Sequence, residues 1–188
     1  TELYSSPPRL SNVARINHLR RKRKVNLKER IIYLPIFFHG DNAGLDGGDY
    51  PDTWYYKLQK SFIEFFSTKT AYNFVWKGLP GADRLYNPIP DFIKDRGFAN
   101  IEIATNPFTE HLLSADRVIC DCPSTGFYEA VVAGVPAISL YYKTLTVRQS
   151  AVQCFGNLLK PFSDIREAIM AIDEFLRSEP ELYRMTID

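Results

Sequence analysis

Short runs of β-branched and aromatic residues recur along this chain, separated by stretches in which apolar positions return every three or four residues. The runs at 31–38, 71–76, 101–104, 117–122 and 135–142 predict strands. Helical spacing covers 52–66, where Trp54, Leu58, Phe62 and Phe65 form a stripe widened by Tyr55 and Phe66. It returns over 110–115, over 125–133 on Phe127, Ala130 and Val131, and over 164–177 on Ile165, Ala168, Ile169, Ile172, Phe175 and Leu176. Strands alternating with helices predict an α/β, three-layer Rossmann-like domain with a parallel sheet of five or six strands. Pro35 marks its strand as an edge or a bend. Gly134 stands where a glycine ends a helix, and Asp164 with Glu167 three residues on predicts the start of another.

The unit from Ser114 to Tyr142 organises the rest. A buried strand, a short turn, a helix and a second strand make a right-handed crossover, and ligands of such sheets bind beyond the carboxyl ends of the strands. Pro123, Ser124, Thr125 and Gly126 form the turn at that edge. Ser124 is placed to cap the helix, whose first N–H groups lack internal partners, and Gly126 leaves room for a ligand to approach the main chain. Glu129, one turn in, is placed to accept hydrogen bonds from a pair of ribose hydroxyls while the turn holds phosphate. The plainer alternative makes Ser124 a cap only and Glu129 a solvated helix residue, and these residues by themselves leave the two readings level.

Composition narrows the class. With 188 residues, 45% hydrophobic and 14% aromatic, one substantial core is expected, and a formal charge of +1 gives no general pull toward nucleic acid or membrane. No apolar run reaches a membrane span of about 18 residues, and there is no signal-peptide pattern. The sequence opens on Thr1, which reads as a fragment of a longer protein. Cys120, Cys122 and Cys154 give an odd count without a second close pair, which argues against zinc and for buried thiols in a reducing, cytoplasmic setting. Residues 1–30 read as a basic linker or N-terminal extension. The run Arg20-Arg21-Lys22-Arg23-Lys24 is expected to be solvated, with attraction to anionic lipid through 20–30 as the alternative. No nucleic-acid motif accompanies it. Residues 31–180 make the domain and 181–188 a tail.

Asp121, Ser124-Thr125-Gly126, Glu129, Gly134, Pro136 and the strand Ala137 to Tyr141 together resemble the nucleotide-binding, C-terminal half of the GT-B glycosyltransferases. The pattern is most similar to the branch holding the CDP-glycerol glycerophosphotransferases and the UDP-N-acetylglucosamine 2-epimerases. The resemblance implies a donor-binding domain of a glycosyl- or glycerophosphate-type transferase in surface polysaccharide biosynthesis. Its substrate is then a nucleotide-sugar or CDP-polyol donor, with no separate cofactor and no metal. It further implies a missing N-terminal acceptor-binding domain that carries or completes the catalytic base, so that the fragment alone is inactive. It also implies a cytoplasmic protein, peripheral at the inner face of the membrane if the basic run touches lipid.

In the glycine- and aspartate-rich loop 39–49, Gly40 and His39 are then beside the donor phosphates, His39 as the candidate catalytic group or merely as a turn residue. Lys77 at a strand end is a phosphate partner or a surface lysine. Thr144, Thr146 and Arg148, after the last central strand, are placed to reach phosphate. His111 reads as a surface helix residue. Two rivals remain on these residues: an isomerase like the sugar-nucleotide 2-epimerases, and a non-catalytic nucleotide-binding or interaction module.

Overall fold

The computed structural model describes residues 16, 20, 27–38, 50–78 and 86–185. Six strands form one sheet: β1 (Glu29–Leu34), β2 (Tyr72–Lys77), β3 (Ile101–Ala104), β4 (Arg117–Cys120), β5 (Ala137–Tyr142) and β6 (Leu159–Phe162). All neighbours pair in parallel, in the order β3-β2-β1-β4-β5-β6. Among the described residues the sheet starts at its centre with β1, winds out to β3 and crosses back to β4. The winding direction therefore reverses between β1 and β4, which opens a crevice at their carboxyl ends.

Alternation along each strand sends side chains to both faces. Ile31, Tyr33, Phe74 and Trp76 pack on one face with residues of α1 (Asp52–Ser67), α2 (Ile89–Arg96) and α6 (Ile165–Arg177). Ile32, Val75, Val118 and Cys120 pack on the other with α3 (Phe108–Leu112) and α4 (Thr125–Val132). The seven-residue helix α5 (Gln149–Phe155) buries none of its residues. Both faces are covered, so the strands read in sequence as continuous apolar runs.

The helix boundaries follow local chemistry. Gly134 takes a left-handed φ of 67° and its N–H donates to Val131 O, ending α4 as expected. Asp164 accepts the Glu167 N–H at 2.8 Å, while the Glu167 carboxylate accepts the Ser163 N–H at 2.7 Å and closes the start of α6. At the far end of α6, buried Arg117 donates to Phe175 O at 2.6 Å and Ser178 O at 3.0 Å. A guanidinium there satisfies carbonyls that the helix itself leaves unpaired.

Several expectations need correction. Pro35 does not mark an edge: β1 is central, and Pro35 falls one residue past its end. The periodicity did not reveal α2, because Pro88 and Pro90 interrupt it; proline is tolerated in a first helical turn, and α2 begins there. β6 was hidden by Pro161, which an edge strand accepts. Within 181–188, expected as a tail, Tyr183 is buried against Phe175. Arg20 is not a solvated linker residue either. Its guanidinium donates to Leu112 O and to Ala115 O, the carbonyls at the end of α3, and Ile16 packs against the same face. The rest of the basic run, 21–24, lies outside the described residues.

Candidate functional site

The crevice is bordered by what leaves β1 and what leaves β4. After β4 the chain runs through Asp121, Cys122, Pro123 and Ser124 into α4. Ser124 occupies the cap position with extended backbone, φ −113° and ψ 172°, yet no side-chain cap bond forms. Its hydroxyl lies beside the thiols of Cys120 and Cys122. Burial pushes the Cys120 thiol well up and the Cys122 thiol up to about 12, so both are neutral and neither is a nucleophile. Ser124 O accepts from Phe127 and Tyr128, which leaves the Thr125 and Gly126 N–H groups without an acceptor among the described residues.

Gly126 has a different use from the one its position suggests. A Cβ built on it would stand 2.5 Å from Leu34 Cδ1, so its bare Cα lets α4 close onto β1. The space beside it belongs to Leu34 and not to a ligand. Thr125 is exposed, as are Thr146 and Arg148 on the loop that follows β5. Arg148 contributes its carbonyl to the first turn of α5, accepting from Ala151 and Val152. Tyr50 reaches that same loop, its hydroxyl 2.5 Å from Thr144 Oγ1, and its ring lies 4.4 Å from the ring of Tyr142.

Lys77 is the last residue of β2, not a surface lysine. Only 4% of it is exposed, burial lowers its pKa, and its Nζ donates to Gly78 O at 2.5 Å. No carboxylate of the described residues pairs with it. Two residues after Val75, it shares that residue's face, the face of α3 and α4. The pairing of Tyr33 with Trp76 brings Leu34 alongside Lys77, so Lys77 and Gly126 flank Leu34 from either side on one face. Two strand spacings separate β2 from β4, about 10 Å.

Glu129 is 2% exposed, so it is not a solvated helix residue. A carboxylate sealed in this way meets a ligand only when what covers it moves aside. His111 is likewise buried, 7% exposed, and its pKa is lowered first by burial and then by Arg30. His39 and Gly40 lie outside the described residues.

A polar cluster that the sequence did not reveal lies between the two exits. Asp121 accepts the Tyr33 hydroxyl at 2.7 Å and the Ile36 N–H at 2.6 Å. Gln59 of α1 donates to Ile36 O at 2.9 Å and accepts from Trp76 Nε1 at 3.1 Å. Burial raises the Asp121 pKa to about 7, against the opposing pull of Tyr33 and Ile36. Among the described residues no group of three or more His, Cys, Asp or Glu side chains is arranged to hold a metal ion, and no helix is long and apolar enough to cross a membrane.

With this geometry the chain can be set beside known proteins. A family model described as LIC12162 family transferase matches residues 50–161. Among solved structures, S. aureus MnaA in a co-structure with UDP is 13% identical, with a TM-score of 0.54 over 97% of this chain and 42% of that one. The UDP-GlcNAc 2-epimerase of Methanocaldococcus jannaschii, in complex with UDP-GlcNAc and UDP, is 16% identical, with a TM-score of 0.52 over 92% and 46%. This chain therefore spans less than half the length of either. No curated protein matches it. The likeness is one of fold: a Rossmann-like GT-B half, with a six-stranded parallel sheet between helical layers.

Proposed function

The chain belongs to the LIC12162 family of transferases, and from that premise we propose that it is the donor-binding domain of a glycosyl- or glycerophosphate-type transferase acting in surface polysaccharide biosynthesis. One observation carries the reading. Lys77 keeps an ammonium buried without a carboxylate, on the same face as the uncapped amino end of α4. A buried cation without a counter-charge is costly, and helix N–H groups attract negative charge. A diphosphate answers both.

In this reading the donor is a nucleotide-sugar or CDP-polyol. The Thr125 and Gly126 amides and Lys77 hold the diphosphate, Thr146 and Arg148 reach over it, and Gly40 and His39 lie beside it. Glu129 takes the ribose hydroxyls after its cover opens. Such a site stabilises the charge that develops on the departing diphosphate, which is electrostatic catalysis needing no redox cofactor. The acceptor and the catalytic base belong to a second domain, so this chain alone binds donor and transfers nothing. The reaction takes place in the cytoplasm, with the basic segment toward the inner face of the membrane.

Isothermal calorimetry with UDP, CDP, GDP and free uridine tests the reading. The expected result is binding of at least one nucleoside diphosphate and none of uridine. Absence of binding by all three diphosphates, or uridine binding as well as UDP, overturns it. Transfer or epimerisation by this chain alone overturns the assignment of the base to a second domain.

A further inference from the structure

The segment 35–38 has left the sheet, and Pro35 has no N–H to offer, so the backbone of Ile36 depends on side chains for its hydrogen bonds. Two buried side chains provide them. Asp121 takes the Ile36 N–H at 2.6 Å and Gln59 gives to the Ile36 carbonyl at 2.9 Å. The outer ends of this relay are also secured, since Tyr33 donates to the second oxygen of Asp121 and Trp76 donates to Gln59. Asp121 is 6% exposed and Gln59 wholly buried, so water does not substitute for either. Asp121 is also covalently the third residue before Ser124. One carboxylate is thus tied by its backbone to the turn that opens α4 and by hydrogen bonds to the exit of β1, the two walls of the crevice.

We propose that Asp121 is a positioning residue of the crevice, its carboxylate holding the β1 exit at Ile36 in register with the turn 122–126. It touches no ligand and acts through the main chain on either side. The consequence for nucleotide binding rests on the donor-site reading above; the positioning itself does not. Phosphate contacts from backbone amides tolerate little displacement, so loosening one wall weakens binding even where the sheet stays intact.

The test uses three variants of the whole chain and two readouts. Asp121→Leu removes the acceptor while keeping the branched shape. Asp121→Asn keeps an oxygen for the Ile36 N–H and is the conservative rescue. Gln59→Leu releases Ile36 from the opposite side, which keeps the question open to experiment if Asp121→Leu does not fold. The first readout is amide hydrogen exchange without ligand. In Asp121→Leu the Ile36 amide and those of Phe127 and Tyr128, which donate to Ser124 O, should exchange roughly tenfold faster, β5 amides should not change, and Asp121→Asn should restore most of the protection. The second is the Kd for UDP, expected to rise roughly tenfold in Asp121→Leu and to recover in Asp121→Asn.

If Asp121→Leu or Gln59→Leu folds and protection at Ile36, Phe127 and Tyr128 is unchanged, the positioning role is wrong. It is also wrong if protection falls evenly over the whole sheet, or if Asp121→Asn fails to restore it. Unaltered UDP affinity beside faster exchange would confine the role to the main chain and contradict its effect on the ligand. If wild type itself binds no nucleoside diphosphate, the donor reading fails while the exchange readout still decides the positioning role.

Discussion

Gly126 lies so close to Leu34 that an added Cβ would meet Leu34 Cδ1 at 2.5 Å, and one of the two would have to shift. This contact sets how near the amino end of α4 comes to β1. Gly126→Ala should therefore overpack the junction and cost about 1–3 kcal/mol, read as a fall in melting temperature. Leu34→Ala should recover part of the loss in the double variant, because it vacates the space. Equal stability of Gly126→Ala and wild type would show that the junction gives way freely.

Ser124→Ala should cost α4 little, since no cap bond exists to be lost. A serine cap removed by alanine costs about 1 kcal/mol where the bond is made. Chemical denaturation of the variant checks this. A loss of that size would mean that the hydroxyl caps the helix in solution and does not stay beside Cys120 and Cys122.

Arg20 and the rest of its basic run should separate. Arg20→Gln removes donors from Leu112 O and Ala115 O at the end of α3 and should lower stability by about 1 kcal/mol. Thermal unfolding of this single variant beside one carrying Gln at 21–24 makes the comparison. Equal melting temperatures for Arg20→Gln and wild type would place Arg20 among solvated charges.

Asp121 gives the chain an acid whose folded pKa, about 7, lies above its ordinary 3.8. The folded state then holds the proton more tightly than the unfolded one. Stability from this group is fully present below about pH 4 and is lost as pH rises toward 7, with a slope of at most about 1.4 kcal/mol per pH unit. The titratable groups facing it are Tyr33 from β1 and Cys120 and Cys122 beside it; α1 presents neutral Gln59. All three raise their own pKa there, so none titrates in this window. Melting temperature against pH should fall more steeply from 5 to 7 in wild type than in Asp121→Asn. Parallel curves would show that Asp121 does not titrate in that range.

Much of the fold was legible because its determinants are local. β-branched runs at 117–122 and 135–142, the glycine that stops α4 and the Asp164 cap each act within a few residues of themselves. Prolines misled where position decides their effect, at the start of α2 and on the edge strand β6. The crevice was located from topology, but its polar relay was not. Gln59 meets Ile36 across 23 residues and Asp121 meets it across 85, and no periodicity reports such contacts. Of the two readings of Glu129, burial removes the solvated one, which helical spacing could not decide because it says which residues share a side and not what lies over them.

The central claim is that the Lys77 ammonium, buried without a carboxylate among the described residues, is kept for a diphosphate. The most direct measurement is a paired determination of melting temperature and UDP affinity for Lys77→Met. Replacing a buried cation without a counter-charge by an apolar side chain of similar length should leave the melting temperature unchanged or raise it. The same change should weaken UDP at least about tenfold through loss of a charged hydrogen bond. Stability preserved with binding lost is the predicted result. UDP affinity equal to that of wild type, in a folded Lys77→Met chain, would contradict the account.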